Sequence, residues 1–188
     1  MRRFVLFSVV LSFGLLSVSF AQNTVPTYRL RTRSFAEIIA KQRQLVGDYC
    51  RADFEGGRLT PNGWNGMGPL TTMRTNPDFN YIVIVSRYQM DAPARPTDNV
   101  DVSYLVIGRY ENGIGFSRSS RSDVVTFRVV DKDDDLVISD IGSPAPHVSL
   151  RAALAWMKER LAHAKSELEK DQLRDALKNL QPAAPPAQ

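Results

Sequence analysis

The stretch VDVSYLVIGRY, residues 100–110, decides the fold class. Val100, Val102, Tyr104, Val106 and Tyr110 fall on one parity, and Asp101, Ser103 and Arg109 mark much of the other. A two-residue repeat of this kind belongs to a strand with one face in a core and one in water. Tyr81 to Met90 is equally rich in β-branched and aromatic residues, and Val124 to Val130 and Leu136 to Ile141 are shorter runs of the same type. Val125, Phe127 and Val129 share a face in the third run; Leu136, Ile138 and Asp140 share one in the fourth. The intervening segments, Asp91 to Asn99, Asn112 to Asp123 and Asp131 to Asp135, are polar and carry no helical pattern. Without crossover helices the expectation is an antiparallel meander of about four strands.

Upstream the period changes to that of a helix. Phe35, Ile38, Ile39, Leu45, Val46 and Tyr49 form one apolar stripe running to about Phe54, and Gly56-Gly57 stops it. Ser34 and Glu37 have the spacing of a capping box at its start. Thr60-Pro61 caps a second, short helix with Trp64 and Leu70, weakened by Gly63, Gly66 and Gly68. A long helix and a curved antiparallel sheet burying each other's apolar faces make an α+β domain over residues 34–148. Beyond it, Ser149 caps a long helix over 149–181. Its Leu150, Leu154, Met157, Leu161, Ala164 and Leu168 step by four and three, the narrow seam of a helix lying on one partner, and the phase is lost near Asp171. Residues 182–188 form a Pro/Ala tail that lacks the apolar content to fold.

At the other end, residues 1–21 read as an export signal. Arg2 and Arg3 precede the apolar run Phe4 to Val18, and Ser19-Phe20-Ala21 is a small-x-small cleavage site. The run falls short of the ~20 residues of a spanning helix, and no Cys stands at the junction to carry a lipid. The general secretory route to a periplasmic or secreted location follows, with 22–33 as a polar linker. Removing the signal leaves 22 basic and 20 acidic residues, so a whole-chain pI near 9.4 does not signify the dense cationic face that nucleic acid requires. One Cys and two His exclude a disulfide framework and a Cys/His zinc cluster.

Taken together, LVGDYCRADFEGGRLTPNGW (45–64), FNYIVIVSRY (79–88), VDVSYLVIGRY (100–110) and VVTFRVVDKDDDLVISDI (124–141) resemble the nuclear transport factor 2-like superfamily, in its SnoaL-like bacterial branch. The resemblance spans about 110 of the 167 residues after the signal. It implies a cone whose sheet curls around the first helix and leaves a pocket. Some relatives use an Asp/His pair for proton transfer, and many only bind ligands or partners. Departures are the missing third helix between the early strands, Leu136 in place of the family's common aromatic residue, and the added C-terminal helix. A cystatin-like helix on four strands is the neighbouring alternative.

Candidate chemistry is sparse. Asp140, on the parity of Leu136 and Ile138, is expected inside near the open end, where desolvation would fit it for proton transfer. His147, in a Pro-bracketed loop, reaches the same mouth. Tyr49, Trp64, Tyr81 and Tyr104 are candidates for a pocket wall, against a default of core packing. Glu159, His163 and Glu167 stack at helical spacing but read as a solvated face, and Asp131, Asp133 and Asp135 lack the Gly and Glu of a calcium loop. No metal and no cofactor are expected. The reading is a non-catalytic exported module that binds a small apolar or amphipathic ligand or a protein partner. The alternatives are a SnoaL-like isomerase or cyclase acting through Asp140, and an interaction protein that dimerises or docks through Leu150, Leu154, Met157, Leu161 and Leu168.

Overall fold

Gln42, Leu45, Val46, Tyr49, Cys50 and Asp53 form the buried stripe of α1 (Phe35–Phe54), and everything else in the inner core is arranged around it. The computed structural model describes residues 34–91, 98–133 and 135–180; the segments expected to be signal, linker and Pro/Ala tail lie outside these. Gly56 ends α1 at φ +92°, a conformation that costs a side-chain-bearing residue and not glycine. A single 3-10 turn, Gly57–Leu59, leads to α2 (Pro61–Met67), whose first turn is capped by the Thr60 hydroxyl accepting from the Gly63 N–H. At the start of α1 the expected capping box does not form: Ser34 makes no side-chain cap bond. That end of the helix carries Phe35 at 70 % exposure.

Five strands follow: β1 (Tyr81–Met90), β2 (Asn99–Glu111), β3 (Gly115–Lys132), β4 (Asp135–Ile141) and β5 (His147–Ser149). They form one curled half-barrel in the order β4-β3-β2-β1-β5. The first four are the antiparallel meander expected; β5 was not, and it runs parallel to β1 with His147 beside Val83. The return from β4 to β5 crosses the fold in the segment 142–146, and the Val83 N–H donates to the Pro146 carbonyl. Two further corrections concern the strands. Residues 115–123, read as loop, extend β3 because they pair with β2 from Glu111 back to Tyr104; cross-strand bonding outweighs the low strand propensity of Ser and Arg there. Tyr110 does not share a face with Val106. The register shifts between Val106 and Gly108, and a bulge of this kind reverses side-chain parity beyond it. Arg109 therefore joins the concave side and Tyr110 the convex side. Gly108 is obligatory at the bend, since a Cβ there would meet the Phe116 ring at 2.5 Å.

The concave face packs Val85, Val102, Tyr104, Phe127, Val129 and Ile138 against α1 and α2. The convex face packs Ile82, Ile84, Tyr110 and Val148 against the C-terminal helices. Those are two helices, not one: α3 (Leu150–His163), capped by the Ser149 hydroxyl accepting from the Ala152 N–H, and α4 (Glu167–Leu180). The helix breaks at Ala164, whose ψ of 131° is extended, and α4 folds back so that Leu173, Ala176 and Leu180 join the same cluster. The seam thus has its partner inside the chain. Met157 is fully buried there, Leu150, Leu154 and Leu161 pack at its margin, and Leu168 is 65 % exposed.

Candidate functional site

α1 packs against Tyr104 and Phe127 and reaches β5 through Asp53, but none of its residues lines the hollow beside Tyr81 and Val83. Tyr49 meets Phe127 edge-on at 5.6 Å and Cys50 Sγ lies 3.2 Å from the Tyr104 hydroxyl. The hollow is a cavity of about 460 Å³. Val83, Val106 and Val125 give it an apolar floor; Tyr81, Arg109, Ser117, Ser119, Arg121, Asp123 and Ser143 give it a polar wall, with His147 between the two. Its size is that of a small-molecule site, and its lining is more polar than apolar. A hollow of about 500 Å³ between Pro61 and Trp156 on the outside is an open groove, lined by Glu159, Arg160 and His163. Arg160 there is held by Glu169 at 2.7 Å.

The cavity wall is ordered by its own charges. The Arg109 guanidinium lies 3.6 Å over the Tyr81 ring and donates to Glu111 Oε2 at 2.6 Å. Its Nε is buried and meets no acceptor among the described residues. Arg121 grips Asp123 with two bonds, Nε to Oδ1 at 2.8 Å and Nη2 to Oδ2 at 3.1 Å. Ser117 stands directly across the ladder from Arg109.

Behind His147 is a buried polar cluster. The imidazole stacks on Tyr104, centroids 4.3 Å apart, and its backbone N–H donates to Asp53 Oδ2 at 2.9 Å. Burial holds the imidazole down to about 4, opposed by Asp123 and by a backbone hydrogen bond at Ala145, so it is neutral near pH 7. Asp53, in the last turn of α1, is pushed up to about 7 by desolvation, against the charge of Arg58 and the His147 N–H. Burial likewise raises the Cys50 thiol to about 12, which leaves it an unreactive thiol. Arg58 is 1 % exposed. It donates to Asn76 Oδ1 at 3.1 Å and to the carbonyls of Pro77 and Pro144 at 3.3 and 2.5 Å. One cation thereby ties the turn after α1 to the segment before β1 and to the segment that delivers His147.

Of the residues singled out in the sequence, Tyr81 and His147 line the cavity. Tyr104 lies one layer beneath, while Tyr49 and Trp64 are core. His147 sits on β5, not in a loop. Asp140 is not inside. A second register shift, between Arg128 and Val129, turns it outward, where it is exposed and its Oδ1 accepts from the Ile141 N–H. Among the described residues no group of three or more His, Cys, Asp or Glu is placed to hold a metal, and no helix is long and apolar enough to cross a membrane. The sequence reading missed Asp53, Arg58, Arg109 and Arg121. Asp53 was findable, because it continues the 42–45–46–49 stripe as a carboxylate on the buried face; Arg58 leaves no comparable mark. Comparison with family models, curated proteins and solved structures finds no match.

Proposed function

We propose that the protein is a non-catalytic exported module that holds a small amphipathic ligand in the hollow of its half-barrel. The observation that carries this reading is the cavity of about 460 Å³ with a valine floor and a polar wall, lined by no residue of α1. An apolar body would rest on Val83, Val106 and Val125 while polar groups meet the serines and arginines. Support for a nuclear transport factor 2-like cone comes from the order of elements: a long helix, a short one, then a sheet curled over the first. Of the Asp140 and His147 pair, His147 alone lies in the cavity. An imidazole held down to about 4 is a weak base at neutral pH, outside the range in which acid–base catalysis is efficient, and Asp140 faces water.

The test is a titration with 4-phenylbutyramide followed by backbone amide shifts. Perturbed amides should cluster at Val83, Val106, Val125 and His147, and Ser119→Trp, which places a large side chain in the cavity, should abolish them. Shifts confined to the outer groove, or unchanged in Ser119→Trp, would overturn the reading.

A further inference from the structure

We infer that the ligand carries a carboxylate, received at Arg109. The inference rests on the cavity being a ligand site and adds the chemistry of what enters it. Three features of Arg109 set it apart from a surface arginine. The bulge at Val106/Gly108 turns it onto the concave wall. The Tyr81 ring supports its flat face and Glu111 holds one terminal nitrogen, so the fork is fixed before any ligand arrives and little rotamer freedom is left to lose. Its Nε–H is buried with no acceptor among the described residues, while the side chain as a whole stays 38 % exposed, so the guanidinium is anchored in the wall yet open to a ligand.

The surroundings favour an anion over a cation. The acid on the cavity wall, Asp123, is occupied on both oxygens by Arg121. Facing Arg109 across the ladder, Ser117 offers a hydroxyl, and Ser119 and Ser143 offer two more on the same wall. With Glu111 already offsetting part of the charge of Arg109, the corner suits a single negative charge better than a dianion. A guanidinium reads a planar carboxylate through paired N–H bonds, and the three valines beneath suit an apolar body.

The experiment compares 4-phenylbutyrate, 4-phenylbutyramide and inorganic phosphate by amide-shift titration on the intact protein. The carboxylate should bind about tenfold more tightly than the amide, since a charge-assisted pair is worth at least that factor. Arg109→Gln should remove this advantage, so that carboxylate and amide bind alike. Arg109→Lys, which keeps the charge and loses the fork, should fall between, and the exposed Arg87→Gln should change neither. Equal binding of carboxylate and amide, no effect of Arg109→Gln in a variant whose spectrum stays dispersed, or phosphate binding as well as the carboxylate would each overturn the inference. If the amide still maps to the valine floor in those cases, the cavity reading stands and only the carboxylate falls. If no probe perturbs the cavity, both fall.

Discussion

The two faces of one sheet are treated in opposite ways. On the convex face Ile82, Ile84, Tyr110 and Val148 are sealed by α3 and α4 into an apolar cluster with Met157 and Leu173. On the concave face α1 and α2 cover part of the sheet, and a cavity backed by Asp53, Arg58 and His147 remains beside them. The convex side is held by shape and area, the concave side by a chain of buried polar contacts. Both are alternating strand surfaces, so what separates them is how much helix each receives. Stability resides where the cover is complete, and the hollow survives where it is not.

The strongest blow to this contrast should come from the polar side. Arg58→Ala leaves two carbonyls and the Asp53 carboxyl without their buried cation, and removing one member of such a group typically costs about 3–5 kcal/mol; chemical denaturation would measure it. Arg58→Met restores volume without the bonds and should recover part of that loss. A loss below about 1 kcal/mol for Arg58→Ala would mean the cluster is not what holds the concave end.

On the apolar side, Met157→Ala should cost about 2–4 kcal/mol through the void it leaves, with 4-phenylbutyramide binding unaffected. A parallel loss of binding would show the two faces are coupled through β1.

The buried acid and imidazole should give the concave side a pH signature that the convex side lacks. His147 titrates in the fold near 4, below its usual value; its neutral form contributes stability above about pH 6.5 that is lost as pH falls through 4. Asp53 titrates near 7, above its usual value; the protonated form contributes below about pH 4 and is lost as pH rises through 7. The slopes oppose one another between those limits. His147→Gln should therefore leave stability falling from pH 4 to 7, and Asp53→Asn should leave it rising from pH 4 to 6.5, each by roughly a few kcal/mol. Identical pH profiles in the two variants would contradict the assignment.

The smallest expected difference concerns caps. Ser149 accepts from Ala152, and Ser149→Ala should cost about 1 kcal/mol. Ser34 forms no such bond, and Ser34→Ala should stay within about 0.5 kcal/mol. Melting curves of the pair would show whether the two helix starts differ as their cap bonds do.

Periodicity made α1, α2 and the meander legible, because a helical stripe or a strand alternation is written in neighbouring residues. The Thr60 and Ser149 caps were equally readable. Parity beyond Val106 and beyond Ile138 was not: Arg109 and Asp140 exchanged their expected sides because a bulge depends on how two strands register, and neither strand states that alone. The seam of α3 announced a partner but could not say that the partner was the chain's own sheet, nor that the helix would break at Ala164 and fold back. For the same reason His147 looked like a loop residue, since its strand exists only beside β1.

What the sequence by itself determined, then, is the kind of each element and the face each wished to bury: an amphipathic first helix, four alternating strands, a seamed C-terminal segment. Only the tertiary structure decided which side of the sheet each helix covers, that Arg109 and His147 flank Val83 from opposite sides while Asp140 looks to water, and that a hollow remains. Local energetics are set within a few residues, whereas register, bulges and cover arise between segments far apart in the chain, where pairing and packing outweigh any single stretch's preference.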